Sequence, residues 1–382
     1  MIGNPRLRKD TPIVVAGGGG FIGGHLVADL LRQGYTNVRS VDIKPLDEWY
    51  QVHRAAKNIA GEAKGDLKNL DNCRRALKGC KGGYVFQLAA DMGGMGFIEN
   101  NKALCMLSVL TNTHMILAAK DEGIDRFFYS SSACVYNADK QKNADVTALK
   151  EEDAYPAMPE DGYGWEKLFS ERMCRHFRED FGLKTRVARF HNVYGPFGTW
   201  EGGREKAPAA ICRKVIQAKH TGKHHIEIWG DGEQTRSFMY ISDCLKGIQT
   251  LTNSNFVDPI NLGSAELVSI NQLVSIAEDI AGIRLDRSYK LDAPKGVRGR
   301  NSDNTLIKKV FGWEPDTRLR DGMQKTYEWI EQEWLAKYGG RKTVSTPKPS
   351  KNNKAKPARG GSSSNGKHKK TAGKGKAKAK AR

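Results

Sequence analysis

Acidic side chains are missing from residues 341–382, a stretch with fifteen Lys and Arg and no Asp or Glu. The formal charge of +19 belongs mainly there, because residues 1–340 carry 47 basic and 43 acidic groups. A basic total is therefore no sign that the body of the chain grips a polyanion. The same stretch has almost nothing apolar to bury and nothing aromatic to stack on bases, so a disordered Lys-rich tail is expected over 339–382. Weak polyanion binding is the lesser reading of it, through contacts that release counterions. Seven cysteines, an odd number without CxxC or Cys/His zinc spacing, exclude a disulfide framework and leave no metal site expected. They suit a reducing, cytoplasmic setting. No uninterrupted apolar run approaches the roughly 18 residues of a membrane helix, and "MIGNPRLRKDTPIVVAGGGG" has no apolar leader. The expectation is an unexported chain with no membrane partner.

What the sequence does contain is a core. Of its 382 residues, 39% are hydrophobic, enough for more than one packed unit. The first half alternates short β-branched runs with helical stretches, the pattern of a parallel sheet with crossover helices. Strands are predicted at 12–17, 37–43, 83–90, 126–133 and 185–193. "HLVADLLRQG" (25–34) reads as an amphipathic helix closed by glycine. After "HNVYGPFG" the texture loosens into polar loops, with a strand-rich segment at 226–238 and a helix at 269–282 whose N-cap is Ser269. The paired histidines His224 and His225 read as solvated.

Two motifs carry chemistry. "GGGGFIG" sets Gly17, Gly20 and Gly23 between a strand and a helix, where absent side chains let a pyrophosphate approach the helix N-terminus past Phe21 and Ile22. Asp42, at the end of the second strand, can accept hydrogen bonds from ribose hydroxyls and would repel a 2′-phosphate, which favours NAD over NADP. Asp66 in "KGDL" is a candidate contact to adenine, or else a turn aspartate. The second motif is YxxxK, Tyr163 and Lys167, which share one helical face so that the ammonium favours phenolate. Bringing a tyrosine from its usual pKa to neutrality takes about 4 kcal/mol of differential stabilisation.

With the serine-rich strand end at 130–132 and the later "HNVYGP", these motifs resemble the extended short-chain dehydrogenase/reductase family, in family order over about residues 12–335. The resemblance implies an α/β fold: a doubly wound, parallel-sheet Rossmann domain (1–194) and a smaller C-terminal substrate-binding α/β domain (195–338). It implies an enzyme in which Ser132 bonds the reacting hydroxyl, Tyr163 removes its proton, Lys167 holds the nicotinamide ribose, and NAD accepts hydride. A homodimer through the helices flanking YxxxK is implied as well.

Five further strings, "AADMGGMGFI", "SSACVY", "GPFGTWEGGREKAPAAICRK", "GDGEQTRSF" and "GVRGRNSDN", are similar to a branch of that family acting on GDP-mannose. Its members oxidise carbon 4 of the sugar transiently, invert carbons 5 and 3, and reduce the product to GDP-L-galactose, with GDP-L-gulose as by-product. The ketone acidifies both neighbouring carbons, so the branch needs a base and an acid. A thiol, with a reference pKa near 8.5, is a better base near neutrality than a hydroxyl. Cys134 is thus implied as base and Lys206 as acid on the opposite face. From position alone, Cys134 reads equally as a small buried residue and Lys206 as a surface lysine. The same resemblance puts Gly93, Ser132, Ala133, Cys134 and Asn192 around the sugar and its phosphate. Glu205, Lys206, Ala207, Lys214, Gln234, Thr235, Arg236 and Arg300 (or Arg298) would line the GDP side. Two other readings stay open: an epimerase of another GDP-sugar such as a GDP-heptose, and a non-catalytic NAD-binding sensor with a polyanion-binding tail.

Overall fold

The computed structural model describes residues 8–294 and 296–339. The basic tail expected from residue 339 lies outside the described residues, apart from Gly339 itself. Seven parallel strands form the main sheet: β1 (Ile13–Ala16), β2 (Val38–Asp42), β3 (Lys57–Ala60), β4 (Tyr84–Gln87), β5 (Arg126–Ser132), β6 (Lys184–Phe190) and β7 (Ile260–Leu262). Their order is β7-β6-β5-β4-β1-β2-β3. The order reverses between β1 and β4, so the loops leaving these two strands splay apart and open a crevice at their C-terminal ends.

Alternation along β1 builds both layers. Ile13 and Val15 enter one apolar cluster with Leu26, Val27 and Leu30 of helix α1 (Phe21–Arg32). Val14 and Ala16 enter another with Met115 of helix α2 (Ser108–Glu122) and Cys174 of helix α3 (Tyr163–Phe181). Successive side chains of a strand face opposite ways, so a continuous apolar run needs a cover on each face. The expected α/β doubly wound sheet is therefore observed.

The helical stretch Lys102–Glu122, which ends in α2, departs from the sequence expectation. Its 18-residue hydropathy reaches 1.3, so by length and composition it could cross a membrane. Here it serves as a layer of the fold, with Met115, Ile116, Ala118 and Ala119 in the core beneath the sheet.

The rest of the described chain adds helices α4 (Ala207–Thr221), α5 (Ile270–Ala281) and α6 (Leu319–Tyr338) around short strands. Ser269 caps α5 as expected: its hydroxyl accepts from the Gln272 N–H while Gln272 reaches back to the Ser269 N–H. Strand Thr235–Ser237 runs antiparallel to Leu267–Ser269 and parallel to Gly299–Arg300. That small sheet carries Arg236 and Arg300 on neighbouring strands.

Candidate active site

The turn from β1 into α1 leaves no room for side chains. A Cβ on Gly23 would lie 2.0 Å from the Gly17 carbonyl oxygen, and Gly17 itself has φ +82. Gly20 caps α1 without a side chain, so no hydroxyl or carboxylate competes for the first-turn N–H groups. Gly17, Gly20, Phe21, Ile22 and Gly23 line a cavity of about 380 Å³ together with Asp42, Asp66, Ser132, Tyr163 and Lys167. Asp42 is buried and accepts from the N–H groups of Gly19 and Lys44, each at 3.0 Å. Burial pushes its carboxyl above the usual range, and the surrounding N–H groups and Lys44 pull the other way. Further hydroxyl donors would favour its charged form. A side-chain-free cradle on a helix N-terminus, with a buried acceptor at the end of β2, fits NAD.

Sequence reasoning missed the cover of this loop. Trp49 packs so closely on Gly19 that a Cβ there would come within 2.4 Å of the indole, whose Nε1 donates to the Lys44 carbonyl. No spacing rule ties residue 49 to residue 19.

Tyr163 opens α3 and Lys167 follows one turn later. The Lys167 amine donates to the Ser130 carbonyl at 3.0 Å and lies 5.5 Å from the Tyr163 ring centroid. Burial drives the Tyr163 phenol upward, with Cys134 and Glu166 adding to the effect and a hydrogen bond with Ser132 opposing it. The same burial pushes the Lys167 ammonium downward, opposed first by Glu166. Burial thus disfavours the charged form of both groups, and further positive charge is needed to hold phenolate.

A second cavity, about 340 Å³, adjoins the first at Ser132, Tyr163 and Lys206, which line both. Its walls include Gly93, Ala133, Cys134, Asn192, Glu205, Ala207, Lys214, Gln234, Arg236 and Arg300. The segment after β4 meets the one before α4: the Gly94 N–H donates to the Arg204 carbonyl, and a Cβ on Gly94 would strike the Glu205 oxygen at 2.3 Å. That contact seats Gly94 against Glu205 and Lys206, and Gly93 against Arg204.

Thr235 is the sequence candidate that does not line this cavity. Gln234 and Arg236 face it, so alternation turns Thr235 away, and its hydroxyl donates to the Ala144 carbonyl. Arg298 pairs with Asp231 at the surface. Lys214 donates to the Glu227 carbonyl, and Gln234 to the Trp229 carbonyl. Arg300 is held at the Cys134 end: Nε donates to Gln141 Oε1 at 2.7 Å, Nη2 to Glu160 Oε1 at 2.8 Å, and Nη1 to Cys134 Sγ at 3.5 Å. Gln141 and Glu160 were not singled out in the sequence.

Burial lifts the Cys134 thiol to about 11, Glu160 adding to the rise and Arg300 opposing it. Part of Lys206 faces the cavity, yet its amine is enclosed enough that burial lowers its pKa, against the pull of Cys134 and Cys244. A thiol with raised proton affinity and an amine with lowered affinity thus share one cavity beside the Tyr163 phenol.

The GDP-mannose 3,5-epimerase 1 of Oryza sativa subsp. japonica is 44% identical over 349 residues, 88% of each chain. The GDP-mannose 3,5-epimerase of Arabidopsis thaliana is 42% identical over 353 residues, 89% of this chain and 90% of that one. Among solved structures, the UDP-glucose 4-epimerase of Thermotoga maritima with UDP-glucose superposes with a TM-score of 0.74 at 25% identity, covering 84% of this chain and 99% of that chain. The family described as NAD dependent epimerase/dehydratase matches residues 13–263, and to that family this chain belongs.

Proposed function

We propose that the protein is a GDP-mannose 3,5-epimerase, an NAD-dependent isomerase with no net redox change. The observation that carries this reading is the joining of two cavities at Ser132 and Tyr163, with Cys134 and Lys206 on the walls of the second. A 4-epimerase needs only the first set of groups. The thiol and the amine have a task only if carbons beside the transient ketone are also inverted.

The steps follow from the side chains. Ser132 positions the carbon-4 hydroxyl and Tyr163 takes its proton, with Lys167 beside the ring favouring phenolate. When bound, NAD supplies a reversible hydride acceptor and a positive ring charge that favours that phenolate further. Cys134 then takes the proton from carbon 5 or carbon 3, and Lys206 delivers one to the other face. The Lys206 charge also steadies the enolate. Tyr163 finally returns its proton to the carbon-4 oxygen.

Asp42 would hold the adenosine ribose and Asp66 the adenine. Lys214 and Arg236 would take the diphosphate, with Gly93 and Asn192 near the sugar. The division is placed at residues 194 and 195: the cofactor-binding and catalytic Ser, Tyr and Lys residues precede it, and Lys206, Lys214, Arg236 and Arg300 of the nucleotide-sugar side follow it. Seven unpaired thiols, Cys73, Cys80, Cys105, Cys134, Cys174, Cys212 and Cys244, support a reducing, cytoplasmic setting.

A homodimer is part of the same proposal. Phe169 and Trp165 on α3 stay 56% and 43% exposed, and Met106 and Leu110 are exposed beside the start of α2. An apolar surface of this kind on adjacent helices suits a second copy. Sedimentation should give twice the 42.4 kDa chain mass; a monomer at working concentrations contradicts the pairing.

Incubating the purified protein with GDP-mannose and separating the nucleotide sugars tests the main reading. GDP-L-galactose with some GDP-L-gulose is expected. Recovery of GDP-mannose alone, with NAD bound, overturns it.

A further inference from the structure

A single base that works on two carbons must be emptied between them. Cys134 is a thiol at rest, and after each abstraction it is a thiol again, so some group has to take its proton before the next step. Glu160 is placed for this. Its N–H donates to the Cys134 carbonyl at 2.9 Å, which ties the loop before α3 to the end of β5. Its Oε1 is occupied by the Arg300 guanidinium at 2.8 Å. Its other oxygen, Oε2, is buried with no well-aligned hydrogen-bond donor, although the thiol lies close enough for the two groups to change one another's proton affinity. Arg300 touches both members, so positive charge is present whichever of them is ionised.

We infer that Glu160 is the positioning residue that receives the Cys134 proton, making thiol, carboxylate and Arg300 one relay. This rests on the reading of Cys134 as the epimerising base. In the transfer the S–H bond breaks, its electron pair stays on sulfur, and an O–H bond forms on Oε2. The thiolate then takes the ring-carbon proton and becomes thiol. Lys206 has meanwhile given up a proton. For the second carbon, the Glu160 carboxyl releases its proton to water, Lys206 regains one from water, and the sulfur passes its new proton to Oε2. Two protons have moved to the amine and the carboxylate, and the charges on all three groups are restored to their working state.

At rest the electrostatics hold the proton on sulfur, so the transfer to Glu160 runs uphill. Burial works to raise the Glu160 carboxyl, but Arg300, the neighbouring Cys134 thiol and Arg236 outweigh it, so the proton rests on sulfur. The charged or titratable groups around the thiol are Glu160, Arg300, Arg236, Tyr163, Lys167 and Lys206. Of these Glu160 is the carboxylate, and it raises the thiol pKa. Removing its charge therefore makes Cys134 a stronger acid.

That sign gives a test with opposed readouts. Glu160→Gln keeps an acceptor for Arg300 but cannot take a proton. Alkylation of Cys134 by iodoacetamide near pH 7, corrected with Cys134→Ala for the other six thiols, should become faster, about tenfold for each unit the thiol pKa falls. Deuterium wash-in from heavy water at carbons 3 and 5 should fall by about 10²-fold. Glu160→Asp, which keeps the carboxylate, should recover part of the wash-in. Faster alkylation with unchanged or faster wash-in overturns the relay, because Glu160 then acts only through its charge. Slower alkylation together with slower wash-in also overturns it, as loss of packing. If the wild-type protein washes no deuterium into either carbon, the epimerase reading fails instead, and the alkylation arm still reports whether Glu160 controls the thiol.

Discussion

Replacing Tyr163 with phenylalanine is expected to lower turnover of GDP-mannose by about 10²- to 10⁴-fold, the range of a lost acid–base group. Every later step depends on the carbon-4 ketone, so wash-in at carbons 3 and 5 should fall with it. The ring stays, so the Lys167 contact and the wall shared by the two cavities are kept. NAD affinity should change little. The measurement is single-turnover loss of enzyme-bound NAD absorbance change alongside product formation. The pH dependence has a definite sign: burial holds the phenol above its ordinary pKa, so oxidation should slow as pH falls and phenolate becomes scarcer. Persistence of oxidation in the phenylalanine variant would assign the proton to another group.

The second large effect is expected from Cys134→Ala. It should remove deuterium incorporation at carbons 3 and 5 by about 10²- to 10⁴-fold while hydride transfer at carbon 4 continues. Geometry supports that separation, because Cys134 lines the second cavity and Tyr163 sits at the junction of both. Stability should change modestly, since the thiol makes one long contact to Arg300 and alanine leaves a small void. Arg300 keeps Glu160 and Gln141 as partners, so no charge is stranded. A variant that still exchanges both hydrogens would move the base elsewhere, and incorporation measured by proton NMR decides it.

Much of the first half was legible because its physics is local. Buried parallel strands read as β-branched runs: β1, β2, β4 and β5 fall inside the predicted segments, and β6 begins one residue before its own. Ser269 with Gln272 three residues on is a cap written in the sequence. The Lys102–Glu122 stretch was misjudged because interruptions such as Thr111, Asn112 and His114 hide an apolar average that only a window reveals.

The second cavity was legible only through resemblance, because its walls come from segments far apart in the chain. Gly93, Cys134, Lys206 and Arg300 have no common periodicity. Thr235 was drawn in with its neighbours Gln234 and Arg236 because a contiguous string hides which side of a strand each residue faces. Glu160 and Gln141 gave no signal at all: one belongs to the loop before α3, the other to a short helical turn after β5, and Arg300 joins them from a third segment.

The central claim is that one sulfur and one amine invert two carbons beside a transient ketone. It is tested most directly by running the wild-type reaction with GDP-mannose in heavy water and reading each ring position by NMR. The account predicts deuterium at carbons 3 and 5 of the epimerised sugar and the original hydrogen at carbon 4. Epimerised product carrying no solvent deuterium at carbons 3 and 5, or product inverted at carbon 4 alone, would contradict it.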